Sequence, residues 1–439
     1  MINKRGVLIA LYVIAGLPVV AVLGSGIWLY TDLYQTSDRF EAEIKAGNAE
    51  IPTEPADFTR ISPPSSQDAT AEIEKAVTNW EKLSEQDRIA TLTRVQLYAI
   101  TPEAPHPTYV LAYNSSIPLI NSLRSAADRR DSAFTREWAG DSDLLEPHYH
   151  SLIQLARLYC SVALAEARAG SIRAAFDDLH RLRKIAKHYS RDGGLDSLAA
   201  HVKIETQALT AANEIAALYG KNPEVLRQFK VFINDRSTQP DLARSMEGEA
   251  MRCIYVLSQP DSFQDRMFAG TKLSIKNELF QRAAAVRMSE FWTEALALAK
   301  EFAPDPFTMS DSYATVSRAF NEQKSPSRLI PAAIARWNES RIALAGVLEA
   351  RYALAQTAAE IYRTFHQKGQ YPESLNETDS RTFDPYADSP FTYTKTSEGF
   401  KLYSIGTNRL DDGGETKRTD PPQDIVLQAT QNGITIEGT

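Results

Sequence analysis

Between Arg5 and Asp32 the chain carries no charged residue. The run GVLIALYVIAGLPVVAVLGSGIWLYT is long enough to span a bilayer, which takes about 20 apolar residues. It outruns the apolar core of a signal peptide, about 15 residues at most. No A-x-A site follows, although Gly24, Ser25 and Gly26 offer cleavage as an alternative. Lys4 and Arg5 precede the run, and Asp32, Asp38, Glu41 and Glu43 follow it. The positive-inside rule therefore predicts a cytoplasmic N-terminus over 1–5 and a single transmembrane helix over 6–31. The bulk of the chain is then extracytoplasmic and the bilayer is its first partner. Trp28, Tyr30 and Tyr34 suit the outer interface, and Pro18 sits mid-span, where a kink is tolerated.

At 439 residues the chain exceeds one ordinary domain, and 43% hydrophobic residues suffice for a core. The net charge of −8 comes with no basic cluster, which argues against a nucleic-acid partner. Cys160 and Cys253 each lie in an apolar helical pattern. Buried free thiols are expected, with one disulfide as the alternative. No Cys/His spacing suits structural zinc.

Residues 32–70 read as stalk and linker, rich in proline and serine over 51–70. Residues 71–323 read as an α-helical extracytoplasmic domain. Ile73, Val77, Trp80 and Leu83 mark a first amphipathic helix, and prolines break the pattern over 101–110. From 117 to 258 the pattern is persistently helical, with Pro118 placed as a first-turn proline after Ser115 and Ser116. Segments 151–170 and 171–189 pair as a helical hairpin about Gly170, without a repeat of fixed period. Further helices are expected over 194–220, 222–235, 239–258, 274–303 and 311–323. A helix of unusual length follows over 329–368, ended by Gly369 and Pro372. The remainder alternates as strands do: Phe391 and Tyr393, then Phe400 and Leu402, then Ile425 and Leu427 facing Ile434 and Ile436 across Asn432-Gly433. The expected class is mainly α, with a C-terminal α+β module over 329–439 built from a long helix and an antiparallel β-meander.

The order GQYPESL, DPY, SPFTY, GFKLYSIG, acidic loop and DIV resembles the C-terminal part of the major pseudopilin of type II secretion systems. Gly369, Tyr371, Pro372, Asp384, Pro385, Tyr386, Tyr403, Ser404 and Gly406 carry the resemblance over about residues 340–427. The whole chain is similar to a group of uncharacterised bacterial membrane-anchored helical proteins with the same ending. The resemblance implies a calcium ion pinning the last loop. Here Asn408 stands where the family has an Asp, Asp424 where it has its last ligand, and Asp411 and Asp412 lie between. Calcium takes six to eight hard oxygens, and Gly413 and Gly414 let backbone carbonyls turn inward. The loop is longer than the family's and carries fewer charges. The glutamate five residues after the leader glycine is absent, Leu11 standing in its place. The large tip pseudopilin lacks that glutamate too and carries a helical insertion.

Catalytic motifs are absent: no HExxH, GxSxG, P-loop or GxGxxG opening a helix. His148 and His150, with Glu146, are the sharpest metal candidates, but side chains at i and i+2 diverge on a helix. Glu247 and Glu249 diverge for the same reason. His180, His188 and His201 are expected at the surface or at helix ends. Asp177, Asp178, Arg181 and Arg183 are expected to form a solvated charged face. The expected function is a non-enzymatic membrane-anchored scaffold or binding protein, associated with a secretion or pseudopilus-like envelope assembly through an unknown envelope partner. A divergent tip-type pseudopilin and an envelope metal-dependent hydrolase are the alternatives.

Overall fold

Two long helices, α7 (Leu195–Tyr219) and α12 (Leu329–Lys368), lie against each other and organise the rest. The computed structural model describes residues 25–46, 51–58, 63–101, 105–136, 148–191, 193–258, 278–302, 305–379, 383–387, 389–416, 424–430 and 433–438. α12 runs for 40 residues because no proline follows Pro331 in its first turn. It stops at Gly369, whose φ of 73° is a left-handed value that glycine adopts without penalty. The Gly369 amide closes the last turn on the Phe365 carbonyl, 2.8 Å away. The middle turns of α12 bury Ala350, Ala355, Ala358 and Ala359, and these small side chains admit neighbours on several sides. Those neighbours are α7, α11 (Pro306–Glu322) and a C-terminal sheet.

Ahead of α7 come α2 (Thr70–Glu81), α3 (Glu85–Ile100), α4 (Pro107–Ala127), α5 (Tyr149–Arg168) and α6 (Ile172–Ser190); α2 and α3 both pack on α4, α3 packs on α5, and α5 and α4 pack on α6. After it, α8 (Pro223–Asn234), α9 (Leu242–Ser258) and α10 (Glu278–Phe302) bring the chain round to α11. Local chemistry sets several starts. Ser84, Asn222 and Asp305 accept hydrogen bonds from first-turn amides, and prolines open α4, α8 and α11. The sheet is a meander of β1 (Thr392–Lys395), β2 (Phe400–Ser404), β3 (Ile425–Thr430) and β4 (Gly433–Glu437), antiparallel throughout. Leu402, Leu427 and Ile436 align across three strands and are buried, with the sheet lying on α7 and α12. Turn residues 431–432, Asn432 included, lie outside the described residues. Among the described residues the main hydrophobic core is continuous from Phe40 to Ile436, with a small separate cluster of Phe58 and Met251. The protein is thus mainly α, with a small antiparallel sheet at its C-terminal end.

Several expectations need correction. Pro118 lies inside α4, which begins at Pro107 behind the His106 cap. The proline-rich stretch 105–107 starts a helix there, because a first-turn proline loses no hydrogen bond. α11 likewise begins at Pro306, five residues ahead of the expected 311. Asp178 and Arg183 are buried, not solvated, and His201 is buried within α7; His188 is buried too, in the last turn of α6, a helix end as expected. These side chains face neighbouring helices that the sequence does not announce.

Residues 25–37 form α1. Leu33, Phe40, Ile44, Ile51 and Phe58, within and beyond it, are buried against the body. Asp32 accepts from the Ser325 hydroxyl at 2.7 Å and the Ser327 amide at 2.9 Å, and Arg39 meets Glu290 at 2.6 Å. Ile27, Trp28, Tyr30 and Tyr34 are exposed. No helix among the described residues is long and apolar enough to cross a membrane; residues 6–24 of the expected span lie outside them.

Candidate functional site

The acidic loop leaves β2 and returns to β3. Its base is held by the D-P-Y turn that precedes β1. Asp384, buried in that turn, accepts from the Ser404 hydroxyl at 2.7 Å and the Ile405 amide at 2.9 Å. The turn therefore clamps the end of β2 at the point where the loop departs.

The calcium reading gathers four side chains of the loop around a cation, and the structure shows how each is held. Asn408 donates its amide to Asp412 Oδ2 at 2.9 Å and accepts from the Leu410 amide at 3.0 Å. Asp411 accepts from the Tyr403 hydroxyl at 3.0 Å and the Gly413 amide at 2.9 Å. Asp424 is buried at the start of β3 and accepts from the Gly414 amide at 2.6 Å and the Asp412 amide at 3.4 Å. Gly413 and Gly414 both take left-handed φ, 73° and 71°, which aims the Gly414 amide at Asp424. A side chain at Gly414 would also collide with Lys401 and Tyr403.

Burial pushes the Asp424 carboxyl above its ordinary range; the two amides pull it back, and the charges of Asp412 and Asp411 push it up again. Lys401 brings a cation to the loop, donating to the Gly413 carbonyl at 3.0 Å. Three carboxylates and an amide oxygen are the hard donors calcium prefers. Among the described residues, however, no three His, Cys, Asp or Glu side chains stand close enough together to hold an ion. Asp420 of the same loop lies outside the described residues.

The strongest polar cluster is elsewhere, sealed between α6, α7, α8 and α12. Arg183 Nε meets Glu205 Oε2 at 2.9 Å, and its other nitrogens donate to the carbonyls of Phe232 at 2.9 Å and Asp235 at 2.7 Å. Glu205 also accepts from the Thr238 hydroxyl at 2.8 Å and from the Tyr352 hydroxyl. His201 Nε2 stands 3.5 Å from Glu205, and its Nδ1 meets the Ser190 hydroxyl at 2.9 Å. Burial alone would raise the Glu205 carboxyl. His201, Arg183 and Tyr352 outweigh burial and hold it below the usual carboxylate range. A Ser-His-Glu series suggests nucleophilic chemistry, but all three are buried and Glu205 is saturated by Arg183, Thr238 and Tyr352. The arrangement ties helices together. The sequence held one usable sign of it: His201 and Glu205 share a helix face in a stretch otherwise rich in Ala, Leu and Ile, so they had no solvent to face.

The remaining candidates separate. His148 meets Glu81 at 3.3 Å, His150 is exposed, and Glu146 lies outside the described residues. His180 is paired with Asp235 at 3.2 Å. Glu249 is buried beside Arg252 at 3.4 Å, while Glu247 meets Arg244 at 3.1 Å, so the two carboxylates do diverge. Cys160 and Cys253 are free and buried, and burial pushes both thiols up, away from reactivity. A cavity of about 450 Å³ lies where the end of α12 meets the β-turns and α7. Its wall holds Glu214, whose carboxyl burial pushes up, and the stacked rings of Phe365 and Tyr371, 4.3 Å apart. No family model, curated protein or solved structure matches the chain.

Proposed function

We propose that the protein is a membrane-anchored extracytoplasmic scaffold or binding protein, not an enzyme, serving a secretion or pseudopilus-like envelope assembly. One observation carries the reading. The uncharged run 6–31 leads into α1, whose Ile27, Trp28, Leu29 and Tyr30 are exposed while its next turns are fastened to the body. Exposed aromatic residues at the end of an apolar run are what a bilayer interface takes up. The long helix closed at Gly369 and followed by an antiparallel meander supports the pseudopilin-like reading of the C-terminal module. In that reading Asn408, Asp411, Asp412 and Asp424 would have to draw closer together to hold calcium, which would neutralise carboxylates that otherwise repel one another and relieve the buried Asp424.

The anchor is tested by a topology reporter fused after residue 50, together with extraction of the full chain in alkaline carbonate. Reporter activity only outside the cytoplasm, with the chain retained in the membrane pellet, is expected. A cytoplasmic signal would overturn both the orientation and the calcium reading, because cytosolic calcium is too low for a weak site.

A further inference from the structure

α1, the turn joining α11 to α12 and the first turns of α12 enclose an open groove of about 820 Å³. Its walls include Trp28 on one side and Leu329 and Trp337 on the other, all exposed. Lys324, Arg328 and Arg336 stand along the same groove. Arg341 lies over the Trp337 ring, 3.6 Å from its centroid, and is itself anchored to Asp196 at 2.7 Å, which fixes the indole as a wall.

The three cations have no counter-charge of their own among the described residues. Arg328 lies over the Phe320 ring, 4.5 Å from its centroid. Asp32 and Glu290, the carboxylates that act on it, are engaged elsewhere: Asp32 with Arg287 and the Ser325–Ser327 turn, Glu290 with Arg287 at 2.9 Å and Arg39 at 2.6 Å. Among the described residues, neither Lys324 nor Arg336 meets a carboxylate within ion-pair distance. Burial and the neighbouring Arg287 lower the Arg328 pKa, outweighing the opposite pull of Glu290 and Asp32.

An occupant must satisfy both halves of this lining. A free phosphate would use the cations and leave two indoles and a leucine wet. An apolar peptide would cover the indoles and leave the cations unmatched. A phospholipid with a net negative headgroup satisfies both. The groove is also bounded by Trp28, which lies near the end of the uncharged run and within α1, so it opens where lipid is at hand if the run spans the bilayer. We propose that this groove seats one anionic phospholipid, its phosphate among Lys324, Arg328 and Arg336 and an acyl chain along Trp28, Leu329 and Trp337. The proposal rests on the anchored reading above and adds a lipid class to it.

The full chain is placed in nanodiscs containing phosphatidylcholine with a minor fraction of either brominated phosphatidylglycerol or brominated phosphatidylcholine, and tryptophan quenching is read. Brominated phosphatidylglycerol should quench at about one-tenth the mole fraction that brominated phosphatidylcholine needs. The triple variant Lys324→Gln, Arg328→Gln, Arg336→Gln should lose that preference while keeping its far-UV circular dichroism. Trp337→Ala should lower the quenched amplitude and keep the preference. Equal quenching by the two lipids would overturn the proposal, as would loss of the preference when millimolar inorganic phosphate is added, which would mark a free-anion site. A dimer that dissociates on Trp337→Ala would make the groove a contact between copies and overturn it as well. Carbonate extraction separates the two readings: a chain released from the membrane refutes the anchor, whereas a retained chain without lipid preference refutes only the groove.

Discussion

Arg183→Met should be among the most damaging single changes in the molecule. The substitution keeps the length of the apolar stem and removes the guanidinium beside Glu205. Glu205 then stays as a buried anion supported by the hydroxyls of Thr238 and Tyr352 and by His201, and the carbonyls of Phe232 and Asp235 lose their donors. Breaking one side of a buried pair costs about 3–5 kcal/mol. The unfolding entropy is about 2.1 cal/mol/K per residue, or about 0.9 kcal/mol/K for a chain of 439 residues. The midpoint should therefore fall by about 3–6 °C, read by circular dichroism of the full chain in detergent. Adding Glu205→Gln to the variant should restore roughly half of the loss, because the amide oxygen still accepts one hydroxyl, its NH2 donates to the other, and no charge is left unpaired. A fall of under about 1 °C for Arg183→Met, or a double variant whose loss equals the sum of the singles, would refute the claim that charge pairing inside the core holds these four helices together.

Gly346→Leu should destabilise by about 1–3 kcal/mol, since a Cβ there would stand 2.9 Å from the Tyr386 hydroxyl and 3.2 Å from Phe307; a midpoint within about 1 °C of the parent would show that the α12–turn contact yields freely. The parent chain should melt higher in millimolar calcium than in chelator, by about 2.7 kcal/mol of added stability at 100 times the dissociation constant. Asp424→Asn should remove that difference, and identical parent curves would reduce the loop to an ordinary acidic turn. The Asp424 carboxyl has a folded pKa above its unfolded value, so folding takes up a proton and loop stability falls as pH rises through the folded pKa. In calcium-free buffer, exchange of the Gly414 amide, corrected for its intrinsic rate, should therefore slow as pH falls from about 7 towards about 4. The opposite slope would refute the assigned environment.

The helices were legible because their signals are local. The periodicity of 151–189, the end of α12 at Gly369 and the alternation in 400–404 each need only neighbours in sequence. Which charges are buried was not legible. Arg183 and Arg181 lie two residues apart in similar surroundings; one is sealed against Glu205 and the other reaches Asp128 at the surface. The difference is made by α8 and α12, which arrive about 50 and about 170 residues later in the chain. Starts at proline were misplaced for a related reason: a proline reads as a break, and only the cap beside it, His106 or Asp305, marks it as the opening turn of the next helix. The acidic loop was found from its residue types, yet its present hydrogen bonds could not be, because they depend on which backbone amides Gly413 and Gly414 turn inward.

The arrangement of the two proposed sites favours a positioning role over a switching one. The groove uses Leu329, Arg336 and Trp337 at the start of α12, and the clamp beneath the acidic loop meets the same helix near Gly346, where the Tyr386 hydroxyl approaches. Leu329 and Gly346 are 17 positions apart on one helix, about 25 Å at 1.5 Å per residue. Between them α12 is unbroken and packed against α10 and α11, all within the same connected core. Coupling between sites requires an element with two discrete arrangements that both ligands bias. The structure shows the intervening helix in one unbroken arrangement, so on these proposals calcium at the loop and lipid at the groove should bind with independent affinities. On the anchored reading proposed above, the helix would instead set the spacing between the groove and the sheet with its loop, the service a scaffold performs for a partner.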